Sequence, residues 1–316
     1  MRLSLIIPCF NEEEVLNLFM DRTAPVIETI REKHGIDTEY IFINDGSTDG
    51  TLAILKQLHA EKPSVHYISF SRNFGKEAAL YAGLEAADGD FTAMMDVDLQ
   101  DPPEMLIQMA DILVSGRADC AAARRMNRDG EPFLRSWFAR RFYSLINRSG
   151  NPDLAEGVRD YRMMTKQVRD AVLSMCEYNR FSKGIFAWVG FRTEWIPYEH
   201  TDRAAGKSKW SFKDLTYYAI EGLVGYTVKP LEIAAWAGIV FFLLSMIGIV
   251  FIIVRKLIFG DPVAGWPSLV CIILFCSGVQ LFCTGIIGQY LAKTYLEVKK
   301  RPVYIVAETD QAFRKM

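Results

Sequence analysis

The chain has no Cys-x-x-Cys and no paired Cys/His spacing, so neither a disulfide framework nor a zinc-finger-type centre is indicated. Its six cysteines are either scattered (Cys9, Cys120, Cys176) or set in one apolar run (Cys271, Cys276, Cys283). Small buried thiols in a reducing compartment are the expectation. A Gly-x-Gly-x-x-Gly fingerprint and a Gly-x-x-x-x-Gly-Lys-Ser/Thr loop are both missing, which excludes a dinucleotide fingerprint and a P-loop. Basic excess is missing too: the formal net charge is -2, so no bulk positive field points to nucleic acid. Met1-Arg2-Leu3-Ser4 runs straight into a short apolar strand and Pro8, so a secretory signal is not expected.

Charge itself is absent over two stretches. Residues 233–254 and 268–292 contain no Asp, Glu, Lys or Arg, and each reaches the ~20 residues a helix needs to cross a bilayer core of about 30 Å. Between them, Gly260, Asp261, Pro262, Gly265 and Pro267 supply turn formers. The expectation is a transmembrane hairpin at 231–293, with spans at about 231–254 and 268–292. Lys229 before it and Lys293, Lys299, Lys300 and Arg301 after it favour a cytoplasmic location, at the cell (inner) membrane, for the rest of the chain. Residues 211–230 set Phe212, Leu215, Ala219, Gly222, Leu223 and Tyr226 at helical spacing behind Lys207, Lys209 and Lys213. That pattern suits an amphipathic helix in the headgroup layer. Gly278, Gly285 and Gly288 allow close helix packing in the second span. Residues 1–210 then form a cytoplasmic catalytic domain, and 294–316 a cytoplasmic C-terminal tail.

Over the first ~125 residues apolar runs at 3–7, 40–43, 65–70, 91–95 and 119–123 alternate with helical patterns, among them 75–86 and 103–114. Alternation of this kind implies an α/β fold with a doubly wound, mostly parallel sheet. The acidic run after Asn11 opens the first helix, and Ser47 or Thr48 caps the second. In such a sheet the carboxyl ends of the strands line one crevice, which collects Asn11, Asp45, Arg72 and Asp96. Asp96-Val97-Asp98-Leu99-Gln100-Asp101 is the most informative run. Asp96 and Asp98 at i, i+2 on a strand end point the same way. With the Gln100 amide they make a partial oxygen shell for Mg²⁺ or Mn²⁺, open on the side where a diphosphate binds.

Four segments together, Ile7-Pro8-Cys9-Phe10-Asn11-Glu12-Glu13, Asn44-Asp45-Gly46-Ser47-Thr48-Asp49, Ser71-Arg72-Asn73-Phe74-Gly75-Lys76 and Asp96-Val97-Asp98-Leu99-Gln100, resemble an inverting family-2 glycosyltransferase of the GT-A fold. Asp160-Tyr161-Arg162, the stretch from His200 to Ser211, and the Gly288-Gln289-Tyr290 and Lys300-Arg301-Pro302-Val303-Tyr304 segments resemble the polyprenyl-phosphate branch. That branch includes dolichyl-phosphate mannose synthase and bacterial undecaprenyl-phosphate glucosyl and aminoarabinosyl transferases. The resemblance covers nearly the whole chain, with its motifs in the family's order. It implies a nucleotide-sugar donor bound by Pro8, Asn11, Glu12, Asp45, Arg72, Lys76, Asp96 and Arg203, and a metal held by Asp96, Asp98 and Gln100. The lipid-phosphate acceptor falls to Arg124, Arg140, Arg141 and Ser144, and the Arg203, Gly206, Lys207, Ser208 loop looks like the family's lid. Assembly through the hairpin into a homo-oligomer, a tetramer, is implied as well.

Asp160 and Asp98 are the catalytic candidates. A lipid phosphate is already anionic near neutral pH, so no base is needed to deprotonate it. Asp160 is therefore expected to orient the donor sugar or face positive charge at the anomeric carbon; Arg159 and Arg162 offer it a simple ion pair instead. UDP-glucose is the expected donor, with GDP-mannose, UDP-N-acetylhexosamine and UDP-aminoarabinose open. A processive polysaccharide synthase is a rival reading, but Arg135-Ser136-Trp137 does not form that class's Gln-x-x-Arg-Trp segment. A non-catalytic, membrane-tethered nucleotide-sugar binder is another.

Overall fold

The computed structural model describes residues 1–125, 158–175, 177–178, 180–198, 229–259 and 265–310. Arg140, Arg141, Ser144, Arg203, Gly206, Lys207, Ser208 and the expected interfacial helix lie outside them. The elements run β1 (Arg2–Cys9), α1 (Leu16–His34), β2 (Asp37–Asn44), α2 (Thr51–Glu61), β3 (Val65–Phe70), α3 (Lys76–Ala86), β4 (Phe91–Met94) and α4 (Met105–Val114). There follow β5 (Cys120–Arg125), β6 (Val158–Thr165), α5 (Lys166–Leu173), α6 (Ser182–Trp188), β7 (Thr193–Tyr198), α7 (Lys229–Phe259), α8 (Trp266–Lys299) and β8 (Val306–Thr309).

Two compact units emerge, Met1–Phe212 with Arg301–Met316, and Lys213–Lys300. The first holds one mixed sheet in the order β7-β5-β6-β4-β1-β2-β3-β8. β4, β1, β2 and β3 are mutually parallel. The central strands are covered on both faces by helices, so β1 and the second half of β2 are apolar without alternation. Leu5, Ile6, Ile7, Ile41, Phe42 and Ile43 are fully buried. The expected α/β class is therefore present, and the sheet is mostly parallel. Three strands go beyond the sequence reading: β6 is antiparallel to β4 and to β5, β7 is parallel to β5, and β8 is antiparallel to β3. The expected tail thus donates an edge strand to the sheet.

Helix starts also differ from expectation. α1 begins at Leu16 with no acidic residue in its first turn, because Glu12 and Glu13 are drawn to the β2–α2 loop by their backbone N–H groups. α2 begins after Gly50, and neither Ser47 nor Thr48 caps it. Both are engaged by Asn11, and Asp49 accepts from the Thr51 N–H instead.

In the second unit, α7 and α8 touch through Phe241 and Phe275, ring centroids 5.3 Å apart. Their large apolar side chains are mostly exposed. Thr284 and Thr294 return their hydroxyls to carbonyls one turn back, Gln280 and Tyr290, the usual way to satisfy a polar group in an apolar surrounding. Among the described residues one stretch, Phe275–Lys299, is long and apolar enough to cross a membrane. Cys9 and Cys120 are buried as expected, but Cys276 is exposed on α8. Burial raises the Cys9 and Cys120 thiols above their ordinary range, which leaves them inert.

α3 lies so close to β1 that a Cβ on Gly83 would sit 2.2 Å from Ile6 Cγ2. Gly83→Ala is expected to destabilise the protein by about 1–3 kcal/mol despite alanine's better helix propensity. Thermal or denaturant unfolding checks this. The Gly83→Ala, Ile6→Ala double variant should lose less than the sum of the single losses.

Candidate active site

The crevice is built at the carboxyl ends of β1, β2 and β4 and the amino end of β6. The β4–β6 ladder pairs Ala93 with Met163 and Met94 with Arg162. Carried two residues further, that register sets Asp96 across from Asp160. Lys76, the first residue of α3, bridges them: its Nζ lies 2.7 Å from Asp96 Oδ1 and 3.0 Å from Asp160 Oδ2.

The charges reinforce each other. Burial works against ionising Asp160, but Lys76 and Lys183 outweigh it and hold the carboxyl well below its usual range. For Lys76, loss of water opposes the charge, and Asp96 and Asp160 more than compensate, raising it above the lysine range. Asp160 therefore pairs with a lysine from another element, not with Arg159 or Arg162. Arg162 is fully buried, its guanidinium stacked 3.9 Å over the Phe186 ring and bonded to the Arg159 carbonyl at 2.9 Å.

The surrounding loops are laced together. Asn11 sits at φ 56, its backbone N–H bonded to Ser47 Oγ at 2.9 Å and its Oδ1 accepting from the Thr48 N–H at 2.8 Å. The Glu12 N–H donates to Thr51 Oγ1 at 2.9 Å. Asp45 is buried and accepts from the backbone N–H groups of Phe74 at 2.6 Å and Gly75 at 2.9 Å. Its visible work is to hold the β3–α3 loop, which delivers Lys76. Burial raises the Asp45 carboxyl above its ordinary value, and those two N–H bonds act against it. Gly46, at φ 65, passes so close beneath this loop that a Cβ would lie 2.3 Å from the Arg72 carbonyl carbon. Arg72 is exposed, packed 4.0 Å over the Phe74 ring, and Pro8 stays on β1 opposite Ile43.

The Asp96 to Asp101 run is a tight turn. Leu99 adopts φ 56, an unusual conformation for a branched residue, and Asp98 Oδ1 accepts from the Gln100 N–H at 3.2 Å. Asp101 is buried and takes the Tyr198 hydroxyl, while the Tyr161 hydroxyl donates to the Pro102 carbonyl at 3.1 Å. Arg124 is exposed at the end of β5. Glu77, Ser182 and Lys183 were not foreseen. Ser182 donates its backbone N–H to Glu77 Oε2 at 3.1 Å, which docks α6 on α3 and sets Lys183 within electrostatic reach of Asp160. Among the described residues, the one group of three or more His, Cys, Asp or Glu whose ligand atoms converge within 4.8 Å lies elsewhere, at the β3–β8 edge.

A mixed, mostly parallel sheet with a carboxylate-rich crevice at its strand ends and a cation between two of the acids defines a GT-A-like α/β enzyme. The sequence matches the model of glycosyl transferase family 2 over residues 4–173, and the chain belongs to that family. A putative glycosyltransferase, CsbB, of Bacillus subtilis is 41% identical over 98% of this chain and 92% of its own. The bactoprenol glucosyl transferase of Shigella phage SfII is 38% identical over 98% of this chain and 99% of its own. Among solved structures, mannosyl-3-phosphoglycerate synthase from Rubrobacter xylanophilus aligns with a TM-score of 0.50 and 16% identity, over 71% of this chain and 72% of that one. This last likeness speaks for the fold.

The lysine bridge makes a signed prediction. Asp160's depressed pKa stabilises the fold above about pH 4, and that contribution fades as pH falls further. Lys76's raised pKa stabilises it below about pH 10 and fades as pH rises. Between those limits the wild-type bridge is insensitive to pH. In Lys76→Met, Asp160 loses its nearest cation and is held among protein atoms, so the variant should become more stable as pH drops from 7 toward 4. Melting temperatures across that range, compared with wild type, check the sign.

Proposed function

We propose that this protein transfers glucose from UDP-glucose to undecaprenyl phosphate, with inversion, leaving a polyprenyl-phosphate-linked sugar at the cytoplasmic membrane face. The 38% identity to the phage SfII bactoprenol glucosyl transferase, spanning 98% of this chain and 99% of that one, carries the reading. The site's chemistry agrees. An anionic phosphate oxygen needs no proton removed, so the protein's task is alignment and neutralisation of the departing diphosphate. Asp160, held ionised by Lys76, is a poor proton acceptor; it serves to orient the donor sugar and to face positive charge at the anomeric carbon. Asn11, Glu12, Asp45 and Pro8 shape the nucleoside end, and Arg72 and Lys76 add positive charge near the diphosphate.

Asp96, Asp98 and the Gln100 amide are hard oxygen donors suited to Mg²⁺ or Mn²⁺. Asp96 faces the Lys76 ammonium at 2.7 Å, which marks this end of the run as a place where positive charge is held. When bound, such an ion supplies Lewis-acid neutralisation of the leaving diphosphate. Arg124, Arg140, Arg141 and Ser144 are assigned to the acceptor phosphate, and Arg203, Lys207 and Ser208 to a lid that excludes water. α7 and α8 are read as a hairpin of two membrane spans behind an interfacial helix at 211–230, with the hairpin as the contact of a homo-oligomer. Helices of 31 and 34 residues support this, being longer than the ~20 residues one span needs.

Purified full-length protein in detergent, undecaprenyl phosphate, Mg²⁺ or Mn²⁺ and a panel of nucleotide sugars provide the test. UDP release and glycolipid formation are expected with UDP-glucose, and neither under exhaustive chelation. A polymeric product would favour a synthase, and donor binding without turnover a binder. Asp98→Ala is expected to cut turnover by at least about 100-fold while circular dichroism and detergent elution stay unchanged. Full activity in that variant removes the metal assignment.

A further inference from the structure

At the far edge of the sheet, away from the crevice, three side chains converge. His59 lies in the last turn of α2, His66 near the amino end of β3, and Asp310 one residue beyond β8. The Asp310 side chain is only 1% exposed, with Oδ2 2.6 Å from His66 Nδ1 and 3.5 Å from His59 Nδ1. Its other oxygen, Oδ1, is buried and has no hydrogen-bond partner among the described residues. A proton on His66 satisfies one carboxylate oxygen and leaves the second unmet, which a buried carboxylate tolerates poorly. The ligand atoms of all three residues lie within 4.8 Å of one another.

We propose that His59, His66 and Asp310 bind Zn²⁺. Two imidazoles and a carboxylate suit zinc rather than the oxygen-seeking Mg²⁺ or Ca²⁺. Zinc at about 2.0–2.2 Å from each donor sets tetrahedral donors about 3.4 Å apart. The His59–Asp310 pair, at 3.5 Å, already has that spacing; the His66–Asp310 pair opens by under about 1 Å. The Val65 carbonyl lies 2.5 Å from this same nitrogen, His59 Nδ1, so the imidazole gives up that contact when Nδ1 turns to zinc.

The ligands come from distant parts of the chain, His66 and Asp310 being 244 residues apart. β8 itself is four residues long, and its pairing with β3 shifts register between Ser69 and Phe70. Zinc therefore acts as a clasp that fastens the segment following α8 to the sheet.

The test uses full-length protein in detergent with any affinity tag removed, loaded with Zn²⁺ and dialysed against buffer. Elemental analysis should find about one zinc per chain, and Co²⁺ substitution should give the visible bands of a four-coordinate site. Zinc should raise the melting temperature and protect the C-terminal segment from protease. Asp98→Ala should retain the zinc. His66→Ala and Asp310→Asn should lose it, with affinity down by more than about 100-fold, beyond the loss typical of an outer-shell change. His59→Gln is the milder variant if either fails to fold, with the same expectation. Equal zinc content in wild type and folded variants overturns the proposal, as does a wild type that retains none and melts identically with and without zinc.

Discussion

One ammonium group organises the crevice. Asp96 and Asp160 reach the same place only because β6 runs antiparallel to β4, and two carboxylates so placed repel each other unless a cation lies between them. Lys76 is that cation, and it arrives from a third element. Its position depends on Asp45, which binds two successive backbone N–H groups of the loop leading into α3. Three strand ends and one helix start are thereby made interdependent through charge. The arrangement keeps Asp160 ionised, which suits a transfer in which the nucleophile arrives deprotonated.

The loops around it are ordered by bonds that fix backbone more than side chains. Asn11 and Leu99 adopt left-handed conformations that cost energy outside glycine, and each lies beside residues assigned to donor or metal. Asn11 recovers part of that cost through Ser47 and Thr48. Gly46 accepts a backbone approach that no side chain permits. Two of the three left-handed non-glycine residues among the described residues thus lie at the crevice; the third, Lys300, ends α8.

Much of this was legible in the sequence. The apolar runs of β1 to β4 and the turn residues after them placed Asn11, Asp45, Arg72 and Asp96 at one sheet edge, because parallel strands covered on both faces carry an unmistakable pattern. β6 was read as a motif instead of a strand, since Arg159, Asp160 and Arg162 break its apolar character. β7 contains Pro197, and β8 is too short to show a period. The Lys76 bridge was hidden for a different reason: it joins residues 20 and 84 positions from Lys76, through a register that no local spacing encodes. For the same reason no local spacing links His59 and His66 to Asp310, or Glu77 to Ser182.

β8 covers β3, which would otherwise be the last strand on its side of the sheet. Its residues are supplied only after the chain has traversed both long helices. A soluble fragment cut before α7 therefore lacks its own hem: the N–H and C=O groups of β3 stand bare, beside a Phe70 ring stripped of the Tyr304 ring that stacks on it at 4.8 Å in the whole protein. Such bare edges invite pairing with a neighbouring molecule. Anyone trimming this enzyme for solubility does better to splice residues 301–310 back on than to stop at the domain's apparent end.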